Sequence, residues 1–414
     1  MVNVAIMGYG TVGSGVYEVL EENKNIITER TGEEINVKYV LDIREFPGDP
    51  VEKVLIHDFE TLLNDEEIKV AIEVMGGTGV AYKFVKSCLL AGKSVVTSNK
   101  ALVAAYGAEL LAIAKEKGVN FLFEASVGGG IPIIRPLRDS MSGDYIEEIS
   151  GILNGTTNYM MTKMFNEGAE YDAVLKEAQA KGYAEANPTA DVEGHDACRK
   201  IAILSSIITG KMVDFEKIHC EGISKVTAQD MKYAKAMGRR IKLLASCNLS
   251  HDGRIQTMVA PRLVAPEHLL YNVNDVFNAV FVHGNMLGDA LFYGSGAGKL
   301  PTASAVVGDI VRAVRHPDRD CMTSWSTEEL VPEDKNIAAR RFFIRMQGDK
   351  EAMAAGLEEA LGQIEIITVP ELEGEFGVVT GRIPEGQFEQ IVASYGEQVL
   401  QTLRVEEVFE ENIV

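Results

Sequence analysis

Apolar residues in the first third of the chain come in short runs bounded by turn residues, with helical spacing between them. "VNVAIM" opens the chain, and further runs follow at 36–42, 70–75, 93–98 and 119–125. Runs of that length, rich in Val and Ile, predict buried strands. Helical spacing fills 79–91 and 101–117, and a helical pattern also follows the first run. Strands alternating with helices predict a doubly wound parallel sheet, with ligands outside the carboxyl ends of its strands. Here those ends are "MGGTG" at 75–79 and "SNK" at 98–100.

The pattern changes after "EASVGGGIPIIRPL" (124–137). "EEISGILNGTTNYMM" reads as a strand followed by long helical segments. From about Asp196 a helix is predicted, with Ile201, Leu204 and Ile208 on one stripe. Residues 256–300 are strand-rich, and a glycine loop then leads into an apolar helix that returns to the first domain. Residues 314–338 read as a polar connector. Beyond it the order is βαββαβ, a self-contained ferredoxin-like unit. The predicted domains are 1–135 with about 300–320, an α+β domain at 136–300, and 339–414.

Length and composition narrow the class. At 414 residues the chain exceeds one ordinary domain. With 46% hydrophobic and 24% charged residues it has the make-up of a soluble enzyme. No apolar run approaches the roughly 20 residues that span a bilayer, and the N-terminus shows no basic, cleavable leader. The net charge of -21 argues against a nucleic-acid partner. Five scattered cysteines, none in a ligand-like spacing, imply reduced thiols and a cytoplasmic location.

The first strand runs into Gly8-Tyr9-Gly10-Thr11-Val12-Gly13 and then a helix. Gly8 permits the turn, Gly10 lets a pyrophosphate approach, and Gly13 allows close helix packing. The first domain is therefore predicted as a Rossmann-type dinucleotide-binding domain, the phosphates lying on the helix N-terminus. Asp42 ends the second strand, where an acid binds the ribose diol of NAD; Arg44 can instead hold the 2′-phosphate of NADP. The distance from Gly13 to Asp42 exceeds the usual roughly 20 residues, and NAD and NADP both stay open.

"GYAEANPTADVEGHDACRK" (182–200) crowds Glu185, Asp191, Glu193 and Asp196 ahead of Lys200. Asp196 and Lys200, one helical turn apart, share a face. A surface salt bridge of a few tenths of a kcal/mol is one reading; a cage for an ammonium-bearing substrate beside a lysine is the other. Asp191 and Glu193 also suit helix-end decoration. A lysine of ordinary pKa, about 10.4, is protonated at pH 7 and ready as a proton donor.

"SNKALVAAYG", "FEASVGGGIPII", "LNGTTNYMM" and "GYAEANPTADVEGHDACRKIAIL" together resemble homoserine dehydrogenase, in the right order over about residues 1–320. The resemblance implies NAD(P)-dependent interconversion of L-homoserine and L-aspartate 4-semialdehyde, in threonine and methionine biosynthesis. Both substrates carry an ammonium group that the acids would cage. It implies Glu185, Asp191 and Asp196 as substrate ligands, Lys200 as proton donor, and Lys100 as a bridge between cofactor and substrate. Ser98, Gly182 and Gly298 join the cofactor loop residues. A monovalent cation, sodium, is implied at Glu124 and the backbone oxygens of Val127, Gly129 and Ile131; hard cations favour such oxygen ligands. The subunit is expected to assemble as a homodimer or homotetramer. Residues 339–414 resemble an ACT domain, although "MQGDKEAM" lacks its usual Pro-Gly turn. Amino-acid effector binding and oligomer pairing both stay open there. Two rivals are an aspartate-semialdehyde-type dehydrogenase, which needs a loop cysteine not found here, and a non-catalytic nucleotide-gated amino-acid sensor.

Overall fold

The computed structural model describes residues 1–318 and 325–407. Cys321 and part of the predicted connector lie outside the described residues. Along the chain, the first strands and helices are β1 (Val2–Met7), α1 (Thr11–Glu22), α2 (Lys24–Thr31), β2 (Ile35–Leu41), β3 (Leu55–Ile56), α3 (Phe59–Leu63), β4 (Ile68–Glu73), α4 (Gly79–Leu90), β5 (Ser94–Thr97), α5 (Lys100–Lys117) and β6 (Phe121–Leu122). The extra helix α2 accounts for the long spacing between the glycine motif and Asp42.

The middle of the chain contributes β7 (Ile146–Ile152), α6 (Gly155–Glu167), α7 (Tyr171–Ala180), α8 (Thr189–Val192), α9 (His195–Thr209), β8 (His219–Cys220), α10 (Ala228–Ala236), β9 (Arg240–Leu249), β10 (Ile255–Val264), β11 (Phe277–Gly284), β12 (Gly288–Ser295) and α11 (Lys299–Arg315). The predicted strand at 147–161 is thus half helix. Asn154 accepts a hydrogen bond from the Thr157 N–H at 2.9 Å and caps α6 there, ending the strand early. The C-terminal elements are β13 (Ala339–Gln347), α12 (Lys350–Leu361), β14 (Ile364–Ile367), β15 (Glu375–Thr380), the short β16 (Ile383–Pro384), α13 (Glu385–Tyr395) and β17 (Val399–Val405).

The chain forms two compact units rather than three. One contains Met1–Ile146, Arg199–Glu216 and His283–Val331; the other contains Glu147–Cys198, Lys217–Val282 and Pro332–Val414. The expected boundary near 135 therefore moves to 146, and Lys200 belongs to the first unit. That unit carries a parallel sheet in the order β3-β2-β1-β4-β5-β6, the doubly wound order the sequence predicts. Val4, Ile6, Val70 and Ile72 from its centre pack with Ala303, Val306 and Ile310 of α11, so the late apolar helix does return to this core. The connector is less polar in effect than in sequence. Trp325 is buried, stands edge-on to Phe123, and lies so close to Gly107 that a Cβ there would approach it to 2.4 Å.

The second unit is built on a mixed sheet that runs β11-β7-β9-β10-β17-β13-β15-β14. Residues 339–405 have the predicted βαββαβ order and their own core of Phe342, Ile344, Leu357, Phe376 and Phe388. They are not self-contained, because β17 pairs in parallel with β10, Arg262 opposite Arg404. Arg404 also reaches Glu221 at 2.8 Å, and Arg345 reaches Asp230 at 2.6 Å, both acids outside the βαββαβ segment. No helix among the described residues is long and apolar enough to cross a membrane.

Candidate active site

At the carboxyl end of β1, Gly8 takes φ +100° and lies against Met75. A Cβ on Gly13 would meet the Gly8 carbonyl oxygen at 2.0 Å, so only glycine lets α1 start this close to the turn. Gly10 is the opposite case, with nothing within 4 Å of where its Cβ would stand. That open approach, with Thr11 and Val12 in the first helical turn, fits a dinucleotide pyrophosphate. Tyr9 donates its N–H to Asp42 at 2.7 Å, which ties the acid to the loop. Arg44 grips both oxygens of Asp42, at 2.9 and 2.8 Å. Those bonds, opposed by burial, hold the Asp42 carboxyl well below the usual carboxylate range. Arg44 itself is exposed and lies over the Phe46 ring.

Sequence reasoning missed Glu73. It ends β4, follows the apolar run Val70–Ile72 and is fully buried. It accepts from Thr97 Oγ1 at 2.6 Å and from the Met75 N–H at 2.9 Å, so one carboxylate fixes the turns after β4 and after β5. Asn99 extends the brace by donating to the Gly77 carbonyl at 2.6 Å and capping α5 at Leu102. Ser98 and Lys100 flank Asn99, Lys100 as the first residue of α5. A lone acid closing an apolar strand was the available signal.

The turn at 124–135 differs from its expectation. Glu124 Oε1 accepts the N–H groups of Ile133 and Ile134 at 2.6 and 2.8 Å; Oε2 accepts the Arg135 N–H at 2.8 Å and its Nε at 3.0 Å. Four donors occupy this buried carboxylate, so its side-chain oxygens are engaged in bracing the turn. The carbonyls of Val127, Gly129 and Ile131 receive no hydrogen bond among the described residues, and they suit a hard monovalent ion. Gly129 has φ +58°, and a Cβ on it would come 2.3 Å from the Gly296 carbonyl oxygen, so the turn is held against the loop that leads to Gly298 and α11. Among the described residues no His, Cys, Asp and Glu gather to hold a metal.

In the second unit, Asn154 donates to Asp191 Oδ1 at 2.8 Å and to Asp196 Oδ2 at 2.9 Å. One amide thus draws together two of the predicted substrate acids. Asp191 is not mere helix-end decoration, since its carboxylate is part of this cluster. Asp196 and Lys200 are both buried, at 3% and 7% exposure, which removes the surface salt-bridge reading. Glu193 serves through its carbonyl, which accepts the Cys220 thiol at 3.2 Å. Glu185 is exposed on the loop after Gly182 and stands outside the Asn154 cluster. His195 is exposed and Cys198 buried, as packing or surface residues should be.

Comparison with known proteins gives the same picture. Residues 8–124 match the family model "Homoserine dehydrogenase, NAD binding domain", and residues 132–311 match "Homoserine dehydrogenase". The homoserine dehydrogenase of Pseudomonas aeruginosa is 45% identical over 315 residues, covering 76% of this chain and 72% of that one. A solved homoserine dehydrogenase from Thiobacillus denitrificans superposes with a TM-score of 0.88 at 36% identity, over 98% of both chains. A hyperthermophilic archaeal homoserine dehydrogenase solved in complex with NADPH matches with a TM-score of 0.64 at 31% identity, over 75% of this chain and 97% of that one.

Proposed function

The chain belongs to the homoserine dehydrogenase family, and on that premise we propose which of its residues do the chemistry. It is an NAD(P)-dependent oxidoreductase that interconverts L-homoserine and L-aspartate 4-semialdehyde. The bound nucleotide supplies hydride exchange at substrate C4. Gly8, Gly10, Thr11, Val12 and Gly13 hold its phosphates, Asp42 or Arg44 its ribose end, and Ser98 and Lys100 the side facing substrate, with Gly182 and Gly298 lending backbone.

Asp191, Asp196 and Glu185 hold the substrate ammonium. The observation that carries this reading is the shared Asn154 amide, which keeps the buried Asp196 carboxylate and the half-buried Asp191 carboxylate side by side where like charges would otherwise repel. An ammonium ligand is the natural counter-charge for such a pair. Lys200 gives a proton to the C4 oxygen in aldehyde reduction and must receive one in alcohol oxidation. Lysine is charged at neutral pH, so reduction proceeds near neutrality and oxidation gains as the medium becomes alkaline.

The carbonyls of Val127, Gly129 and Ile131 would hold sodium, with the Glu124 carboxylate bracing the turn around them. The βαββαβ segment is an ACT-like element for amino-acid effector binding or for pairing subunits into a dimer or tetramer. The enzyme serves threonine and methionine biosynthesis in the cytoplasm.

Homoserine oxidation followed by reduced-nucleotide absorbance, with NAD and NADP in parallel, tests the assignment and reads the nucleotide preference. Lys200→Met is expected to lower kcat by about 100-fold or more, in line with general acid–base contributions, with nucleotide affinity little changed. A near-normal kcat in that variant would remove Lys200 from the chemistry.

A further inference from the structure

The second unit contains a cavity of about 700 Å³ under the junction of β10 and β17. That volume is in the range of small-molecule sites. Five arginines line it, Arg239, Arg262, Arg340, Arg341 and Arg382, in a chain whose net charge is -21. Four glutamates line it as well, but two are engaged: Glu406 with Arg262 at 2.7 Å and Glu407 with Arg382 at 3.5 Å. Glu148 and Glu267 complete the acidic side.

The remaining guanidiniums are weakly satisfied. Among the described residues Arg239 reaches the Glu406 carbonyl alone, at 3.5 Å, and Arg341 the Thr380 carbonyl alone, at 3.2 Å. Arg340 touches Gln256 at 3.4 Å and Glu385 at 3.5 Å. Arg262, at 2% exposure, donates to Glu406 and Ser246, and only its Nε is without a hydrogen-bond partner among the described residues. Burial first, and then the neighbouring Arg341, disfavours the charged form of Arg239; burial and then Arg262 do the same for Arg340. Crowded, partly desolvated cations are stabilised by a bound anion, and a planar guanidinium fork suits carboxylate and phosphate oxygens.

We propose that this cavity binds a compact dianion, a phosphate group or a dicarboxylate, between Arg239, Arg341 and Arg340. The site lies in neither the nucleotide loop nor the Asn154 cluster. It is joined to the latter along one strand, since β7 carries Glu148 into the cavity and runs on to Asn154.

The test is calorimetric titration of the full chain, saturated with NADP so that the phosphate-binding loop is filled. Inorganic phosphate and succinate are titrated separately at constant ionic strength. One saturable site per chain is expected for at least one of them, and which one binds identifies phosphate or dicarboxylate as the ligand class. Arg239→Gln and Arg341→Gln should each weaken binding about tenfold or more, as loss of a charge-assisted hydrogen bond does. Their unchanged melting temperatures would show that folding is intact. Absence of saturable binding by either anion overturns the proposal, as does undiminished affinity in both variants. The readout needs no turnover, so it stands or falls apart from the catalytic assignment.

Discussion

Glu124 and the pair Asp191–Asp196 are all acids in the stretches that match homoserine dehydrogenase. Their surroundings separate them. Glu124 faces four donors from one short segment, residues 133–135, and is used up by the turn it holds together. Asp191 and Asp196 share the Asn154 amide, which holds two negative charges close while adding no charge of its own. A carboxylate surrounded by three backbone N–H groups and one guanidinium stabilises a turn, whereas two carboxylates gathered by a neutral amide present concentrated negative charge that suits a substrate ammonium. Charge and burial alone do not distinguish the two cases; the identity of the donors does.

The largest effect that sharpens this comparison is on stability. Glu124→Ala leaves three backbone N–H groups and the Arg135 guanidinium without their acceptor, a loss of about 3–5 kcal/mol for a broken buried pair. Urea unfolding should report it, with or without sodium. A loss under about 1 kcal/mol would mean that water replaces the carboxylate and that the turn does not depend on it.

A smaller effect concerns Asp309, which accepts the Glu124 N–H at 2.8 Å. Burial, and then the Glu124 charge, pushes its carboxyl up to about 7. The unfolded chain releases this proton near the ordinary value of about 3.9, while the folded chain keeps it to near 7. Between those values the folded state binds more protons, so this group costs stability as pH rises, by up to about 1.4 kcal/mol per unit. Above the folded value the cost stays constant. Asp309→Asn should therefore gain relative to the parent protein between pH 5 and 7.5 in urea melts. A constant difference across that range would show that Asp309 is ionised throughout.

The comparison also explains what was legible in the chain. The nucleotide loop is local: strand, Gly8, Gly10, Gly13 and helix are contiguous, and the structure needs those glycines for the reasons the spacing implies. Asp191, Asp196 and Lys200 were legible as a crowded motif, but Asn154, which organises the two acids, lies far upstream in a stretch that reads as strand. Glu124 was found, but the bracing work of its carboxylate was not legible, because three of its four donors are backbone N–H groups that no side-chain pattern encodes. Glu73 looked like one acid in an apolar run. The pairing of β10 with β17 joins residues far apart in sequence, so neither the shared sheet nor the arginine cavity beneath it could be read from local periodicity.

The most direct test of the account is the Michaelis constant for L-homoserine in Asp196→Asn, measured beside the urea midpoint of the same protein. The amide keeps the size of the side chain and an acceptor for Asn154, and removes only the charge. A hydrogen bond to a charged group is worth about 1.5–3 kcal/mol, so the Michaelis constant should rise about 10-fold or more while the midpoint barely moves. An unchanged Michaelis constant, or a loss of stability like that expected for Glu124→Ala, would make Asp196 a structural acid and contradict the substrate site placed at residues 182–200.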